Sequence, residues 1–532
     1  MHAILPSITP DNGNFVELVL RHSRVQPWVS ALIWPDAGHR LRTLSFGELG
    51  QAIARFRAWC RQQGWKQNDR IVVIHPPAPA LYVAVLGLLA EGLVPVFLDT
   101  GMGRRKVLEA LAESRAKAVL APPRLCFPGR LLDRLARPWL ALPALDQLPA
   151  HGPTGPCVHR PPGAPGLISY TSGTTGRPKG ADRNHASLIA QHQAIRADWP
   201  DASIDVDMTC LPVLVLHNLC CGMPSVLPDM DFRAPARAPG TRILEQIEAC
   251  GVTRLSGAGA FLSRLADAAD AVGGCRTIRT IRVGGAPVNA KLARRLQRAF
   301  PEADVAVVYG STEAEPIAHG PARLLETDTG PGYPVGTPSP IARVVLADPD
   351  SRPQSEAELL AATVPAGETG EVWVKGPHVL KGYVDNPEAT AESKIPGVDG
   401  HVWHRTGDLA WQDGDGGLHL VGRTKECLEL RGQRIPVFPV ERQLDEHPAI
   451  RRSALIQTRP GETPHLFLEP EPHATADAAS HAARHILMAH QLPRCPIHIL
   501  PALPVDSRHN SKIQRAELKR RCQPWRRISL SG

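Results

Sequence analysis

Two hydrophobic rhythms alternate between Leu44 and Leu120. Apolar residues recur every three or four positions from Phe46 to Gly64, Ala78 to Glu91 and Arg104 to Ser114, which predicts helices. Continuous apolar runs lie between them, at Arg70 to His75, Leu93 to Leu98 and Ala118 to Leu120, and read as buried strands. Strands alternating with helices predict an α/β fold with a helix-covered parallel sheet. A second such run follows a Pro- and Gly-rich stretch, Pro143 to Pro165, that reads as an exposed linker. Its predicted helices are Arg242 to Gly251, Phe261 to Val272 and Ala290 to Phe300; its strands are Thr253 to Ser256, Thr277 to Val283 and Ala303 to Val308. Beyond residue 340 short strands and turns take over, as at Gly370 to Lys375 and Gly417 to Val421, which predicts a β-rich subdomain. The last boundary is placed at Lys425, giving a large domain over 1–424 and a small α/β domain over 425–532.

Length supports this division, because 532 residues exceed what one core usually holds. With 43% hydrophobic residues the chain reads as globular and soluble rather than disordered. The net charge of +8 comes mainly from scattered arginine. Without a basic stripe it gives no support to nucleic-acid binding, but it suits anionic nucleotides or acyl phosphates. The eleven cysteines are irregularly spaced with no C-x-x-C, so they read as reduced, buried thiols of a cytoplasmic protein and predict no structural zinc. The N-terminus lacks the basic and apolar regions of a signal peptide. Leu81 to Leu98 is very apolar, but Glu91, Gly92 and Pro95 make it a helix followed by a strand rather than a membrane span.

The most chemically suggestive segment is Tyr170 to Gly180, a Ser/Thr/Gly loop closed by Lys179. Glycines bring backbone N–H groups close to an anion, Thr171, Ser172, Thr174 and Thr175 add donors, and the lysine adds a mobile charge. Gly173 and Gly176 supply the close approach. The Walker pattern fails, since Pro178 stands five residues beyond Gly173 and Gly180, not a hydroxyl, follows Lys179. The loop follows a predicted strand at Leu167 to Tyr170, where α/β proteins place ligands; a solvated turn is the bland alternative.

Other strand ends carry polar groups. Tyr309, Gly310, Ser311, Thr312 and Glu313 offer a ring, hydroxyls and a carboxylate able to bind magnesium, or form a polar turn. Gly285, Ala286 and Pro287 make a tight turn for a flat ring, or simply start a helix. Asp408 and Arg423 flank a hairpin and suit ribose hydroxyls, or a surface ion pair. Lys512 lies in a polar loop before a basic terminus, where most lysines are solvated.

Taken in order, Thr-Ser-Gly-Thr-Thr-Gly-x-Pro-Lys-Gly, Gly-Gly-Ala-Pro, Tyr-Gly-Ser-Thr-Glu, Thr-Gly-Asp, Gly-Arg-x-Lys-Glu and Asn-Ser-Lys-Ile resemble the adenylate-forming superfamily of acyl-CoA synthetases, luciferases and adenylation domains. The resemblance spans the chain, and three of its eleven lysines, Lys179, Lys425 and Lys512, stand at motif positions. It implies an AMP-forming ligase using ATP and Mg2+ on a carboxylic acid. By this resemblance the 171–179 loop grips the β- and γ-phosphates, Gly285 to Pro287 and Tyr309 to Ser311 surround adenine, and Asp408 and Arg423 hold ribose. Thr312 is implied at the α-phosphate, Glu313 on the metal and Lys512 as the catalytic lysine of a mobile domain hinged at Lys425. Gly432 is implied in the loop serving the second half-reaction.

Ser225 to Arg233 and Pro504 to Ile513 are similar to the β-lactone synthetases of long-chain olefin biosynthesis, which implies a 3-hydroxy fatty acid whose own hydroxyl displaces AMP. The segment Cys427 to Ile435 instead resembles ligases that pass the acyl group to coenzyme A or a phosphopantetheine carrier. At the acid pocket Val215 stands where acyl-CoA synthetases carry histidine, and His217 is the nearby polar candidate. Apolar residues from Val213 to Met223 favour a fatty or otherwise hydrophobic acid. An acyl carrier protein or lipid and natural-product pathway enzymes are the implied partners; a membrane span and nucleic acid are not. Two rivals remain: a non-catalytic acyl-nucleotide-binding protein, and a dinucleotide-dependent oxidoreductase suggested by Gly257-x-Gly259, although Leu262 occupies the third glycine position. The basic residues Lys519, Arg520, Arg521, Arg526 and Arg527 read as a solvated tail.

Overall fold

The computed structural model describes residues 9–133, 137–171, 177–492, 494–506 and 511–522. The helices begin where local chemistry places them. Phe46–Gln62 starts at a capping box in which Ser45 and Glu48 satisfy each other's backbone N–H groups. Pro79–Ala90 has proline in its first turn and is buried on every side, which explains its uninterrupted apolar run. Among the described residues no helix is long and apolar enough to cross a membrane.

Two sheets dominate. One has six strands in the order Trp139–Ala141, Ala118–Ala121, Arg70–Val73, Val94–Leu98, Pro165–Thr171 and Lys179–Asn184. Its first five are parallel neighbours, and the last returns antiparallel with Lys179 opposite Thr171. The other has fourteen strands among the described residues. At its centre Asp207–Thr209, Arg254–Ala258, Thr280–Gly284 and Asp304–Ser311 run parallel, with the helices Gly259–Ala271 and Ala290–Ala299 as crossovers. The α/β expectation therefore holds, with boundaries shifted by a few residues: the strand expected from Thr277 starts at Thr280.

The expected β-rich part is present and continues the same sheet. The strand Ala314–Pro321 pairs with both Asp304–Ser311 and Tyr333–Pro338, and so welds the β-rich strands onto the parallel core. The Pro/Gly-rich stretch is largely exposed as expected, but it is anchored at several points rather than free. Cys157 and Arg160 are buried, and Arg57 donates to the carbonyls of Gly155 at 3.0 Å and Pro156 at 2.9 Å. A Cβ at Gly152 would fall 2.0 Å from the Ala54 carbonyl oxygen, so glycine is needed for this close approach.

The C-terminal part has its own apolar cluster, including Leu428, Leu444, Leu455, Leu466 and Leu487, beneath a three-stranded sheet. Two cations dock it. Arg442 donates to the carbonyls of Leu325 at 3.0 Å and Asp328 at 2.9 Å, and Lys291 donates to those of His447 and Ile450, both at 2.7 Å. Such charge-assisted bonds are the stronger kind.

His185 shows how burial fixes a protonation state. The Phe15 N–H donates to its Nδ1 at 3.0 Å, so that nitrogen must stay unprotonated. Burial, helped by the nearby Arg160 charge, pushes its pKa down to about 3. The unfolded chain binds a proton near pH ~6.5 and the folded chain does not, so stability is present above that pH and falls as pH drops. Urea unfolding should record a loss of ~2 kcal/mol between pH 7 and 5 from this residue. His185→Gln is expected to flatten that slope; an unchanged slope would refute the assignment.

Candidate functional site

The carboxyl ends of the parallel strands open into a cleft of about 2790 Å³, roofed on one side by the C-terminal part. Each wall follows from a local feature of the chain. The strand Asp304–Ser311 delivers Tyr309, Gly310 and Ser311 to the cleft, with Thr312 and Glu313 just beyond its end. Its neighbour Thr280–Gly284 leads into Gly285, Ala286 and Pro287, where Gly285 has φ +84°. That left-handed turn favours glycine.

Asp408 ties three segments together. It stands opposite Arg423 in the antiparallel pair Val402–Gln412 and Leu418–Arg423. Its Oδ1 accepts from Arg423 Nε at 2.8 Å, and its Oδ2 accepts from the Tyr309 hydroxyl at 2.8 Å. Burial and the Asp408 charge raise the Tyr309 phenol well above its usual range, so the hydroxyl remains a donor. Arg423, facing Asp408, is held more firmly protonated than usual.

Glu313 anchors a second polar group. Burial alone would raise its carboxyl, but His404, a hydrogen bond from Tyr383 and the Lys394 ammonium outweigh burial and hold it below the usual carboxylate range. The Tyr383 hydroxyl donates to Glu313 Oε1 at 2.7 Å. Lys179 Nζ lies 5.2 Å from the centre of the Tyr383 ring, a cation–π contact. Arg183 spans from Ser169 Oγ at 3.0 Å to the Thr312 carbonyl at 2.9 Å, joining the two sheets beside the same cleft.

Lys512 enters from the C-terminal part on a short loop. Asp506 pins this loop: its Oδ1 accepts from the Lys512 N–H at 2.9 Å, and its own N–H donates to the Lys512 carbonyl at 2.8 Å. The Lys512 side chain meets solvent inside the cleft yet is ringed by protein. That surrounding protein, and then the Arg423 charge, lowers its pKa. Lys425 occupies the turn Thr424–Glu426 between Arg423 and the C-terminal part, and it also lines the cleft.

The structure thus brings Lys179, Gly285, Ala286, Pro287, Tyr309, Gly310, Ser311, Thr312, Glu313, Asp408, Arg423, Lys425 and Lys512 to one cleft. Ser172, Gly173, Thr174, Thr175 and Gly176 lie outside the described residues; Thr171 is described as backbone paired with Lys179. Gly432 is not in the cleft but at the tip of an exposed two-stranded hairpin, Leu428–Leu430 and Gln433–Ile435. Val215 and His217, expected in the acid pocket, are 1% and 4% exposed and pack behind the wall. The helix Pro212–Cys221 turns Val213, Leu214 and Leu216 to the cleft instead. Sequence reasoning missed Tyr383, Arg183, His404 and Lys394. Arg183, Tyr383 and Lys394 sit in no recognisable motif; His404 stands just before the Thr-Gly-Asp motif, which offered the one nearby signal.

Comparison with known proteins adds context to this geometry. Residues 20–384 match the model of the family described as AMP-binding enzyme. An olefin β-lactone synthetase of Stenotrophomonas maltophilia is 30% identical over 512 residues, covering 90% of each chain. A feruloyl-CoA synthase of an Amycolatopsis species is 30% identical over 525 residues, covering 94% of this chain and 98% of its own. Among solved structures, the O-succinylbenzoate coenzyme A synthetase of Bacillus subtilis in complex with AMP aligns with TM-score 0.78 at 21% identity, covering 94% of this chain and 98% of its own. The amide bond synthetase McbA from Marinactinospora thermotolerans aligns with TM-score 0.79 at 22% identity, covering 96% and 99%. These share the mixed α/β fold with its small C-terminal part.

Lys394 is an unusual member of the site. It is 7% exposed, its Nζ has no hydrogen-bond partner, and burial brings its pKa down to about 7 despite the Glu313 charge. Its folded pKa lies below its unfolded one, so between pH 7 and ~10.4 the unfolded chain binds more protons and stability rises with pH. Lys394→Met should stabilise the chain at pH 7 by ~2–4 kcal/mol and abolish that rise. Urea unfolding at pH 7 and 10 checks this; a destabilised variant that keeps the slope would contradict it.

Proposed function

The chain belongs to the AMP-binding enzyme family and is an adenylate-forming ligase; on that basis we propose that it activates a hydrophobic carboxylic acid with ATP, releasing pyrophosphate. The observation that carries this reading is the convergence on one cleft of Lys179, Glu313, the Tyr309–Asp408–Arg423 network and Lys512. Residues 1–424 hold both substrates in this reading, and 425–532 form a mobile domain carrying the lysine.

The residues present fit the nucleotide. The Gly285 turn offers a flat face, while Asp408 keeps acceptor capacity for ribose hydroxyls beyond its bonds to Tyr309 and Arg423. Lys179 lines the same cleft and suits the outgoing phosphates. Glu313 fits Mg2+, because it is an ionised carboxylate at the cleft wall with Tyr383 on one oxygen. When bound, the metal neutralises phosphate charge.

In the reaction a carboxylate oxygen of the acid attacks the α-phosphorus, and the bond to the bridging oxygen of the β-phosphate breaks. Thr312 and Lys512 hold the charge that develops on the α-phosphate oxygens. Lys512 also draws the acid's carboxylate toward phosphorus. Placing both reactants in one cleft supplies effective molarity, and the preset cation needs no reorganisation. Leu188, Ile195, Val213, Leu214 and Leu216 line the same cleft and give an apolar wall for the acid.

For the second step we favour attack by the acid's own 3-hydroxyl on the acyl carbonyl. AMP leaves and the hydroxyl proton passes to solvent. The β-lactone synthetase relative supports this reading. The feruloyl-CoA synthase relative, and the Gly432 hairpin, support a thiol acceptor as the second reading.

Acid-dependent exchange of labelled pyrophosphate into ATP is expected, and Lys512→Ala should reduce it ~10²–10³-fold. Absence of exchange with every fatty, hydroxy-fatty and aryl acid tried would overturn the adenylation reading. With a 3-hydroxy acid and no thiol, steady AMP release and a product lighter than the acid by one water are expected. Turnover that requires coenzyme A or a carrier thiol would exclude the β-lactone reading and favour the second.

A further inference from the structure

Behind the acid wall, three buried side chains that the adenylation chemistry does not use converge between two helices. His192 comes from the helix His185–Asp198; His217 and Cys221 come from Pro212–Cys221, one turn apart. They are 3%, 4% and 1% exposed. His192 Nδ1 lies 3.1 Å from His217 Nδ1, and His217 Nε2 lies 3.5 Å from Cys221 Sγ. One ligating atom from each of the three falls within 4.8 Å of the others.

We propose that His192, His217 and Cys221 bind one divalent transition-metal ion of the zinc class. Two imidazoles and a thiolate are the donor set such borderline-soft ions select. An ion ~2.0 Å from nitrogen and ~2.3 Å from sulfur sets its ligands roughly 3.3 to 3.5 Å apart, so the cluster needs to close by up to about 1.5 Å. The three residues supply three of the four positions of a tetrahedral site. Binding forms an S–metal bond and releases the thiol proton to solvent, and each ring keeps its remaining proton on the nitrogen that faces away from the ion.

The surrounding charge suits a cation. The charged groups acting on Cys221 are Asp201, Arg196, Arg254 and Asp207. Arg196 pairs with Asp201 at 2.7 Å and Arg254 with Asp205 at 3.2 Å. Asp207 is the carboxylate left over. It is fully buried; one of its oxygens accepts from Asn218 Nδ2 at 2.7 Å, while Oδ1 has no hydrogen-bond partner. A divalent ion with one thiolate carries one net positive charge, which the Asp207 carboxylate would complement.

The ion would staple the two helices whose other faces, Leu188 and Ile195 on one and Val213, Leu214 and Leu216 on the other, line the acid side of the cleft. It would fix the pocket's width without touching substrate.

The test is metal content and spectroscopy of the purified full-length chain, expressed with added Zn2+ or, in parallel, Co2+. About one ion per chain should survive gel filtration, and the cobalt form should show a sulfur-to-cobalt charge-transfer band in the near ultraviolet. Cys221→Ser should abolish the band, and His192→Gln, on the other helix, should lower retained metal at least tenfold. The exposed pair His481 and His485, 3.3 Å apart, is a competing surface site. Replacing both with Gln should leave the band intact. No retained ion and no band in the unmodified chain would overturn the proposal, as would an ion kept equally by Cys221→Ser and His192→Gln or lost with the surface pair. Should Cys221→Ser fail to fold, His192→Gln and the band of the unmodified chain decide it.

Discussion

The carboxylate of Asp408 is the constraint on which the cleft depends. Its two oxygens hold the hydroxyl of Tyr309, at the end of the parallel core, and the guanidinium of Arg423, at the exit of the β-rich hairpin. Both bonds are charge-assisted, and removing the carboxylate would leave a buried hydroxyl and a guanidinium without their partner. Because Arg423 immediately precedes the turn into the C-terminal part, the same carboxylate also sets where that part leaves the sheet. Lys512 then returns to the neighbourhood of Arg423 and Asp408, both of which act on its charge.

Short motifs made much of this site legible. Tyr309, Glu313, Asp408, Arg423 and Lys512 lie at strand ends or loops where the residue types already implied phosphate and sugar chemistry, and the structure sets them in one cleft. The two α/β runs were legible for a similar reason, since helix and strand periodicities differ. The remainder was hidden because it depends on side chains meeting across long sequence separations. Tyr383 reaches Glu313 over 70 residues and Arg183 reaches the Thr312 carbonyl over 129, and neither carries a local signal. The linker is largely exposed, as its Pro and Gly suggest, but its anchoring was hidden: an arginine captures its carbonyls. Val215 and His217 were misplaced toward the acid because an alignment of letters does not fix helical phase. Their helix begins at Pro212, and that phase turns Leu214 and Leu216 outward instead.

Charge is buried beside the cleft as well as elsewhere in the fold. Lys394 has no hydrogen-bond partner for its ammonium, and its strand neighbour His404 is held neutral by burial and by that same ammonium. Fold stability alone does not call for a buried ammonium behind Glu313. Its cost is consistent with a site that waits for compensating negative charge, which polyphosphate brings. Desolvated ionisable groups near a functional cleft follow the general pattern.

The C-terminal part presents Lys512 to the cleft and carries the Gly432 hairpin outside it. Arg442 and Lys291 lock this arrangement through backbone carbonyls on opposite sides of the boundary. In the proposed thiol reading, an acceptor served by the hairpin would need those bonds to break and the part to turn. In the proposed internal reading no turn would be needed, since nucleophile and acyl phosphate belong to one molecule and gain effective molarity without any domain movement. The docking bonds would therefore oppose one proposed second step and leave the other unhindered. Their strength weighs on which acceptor the chain uses: a tightly latched part favours internal closure, whereas a thiol route must recover the cost of unlatching from the binding of its acceptor.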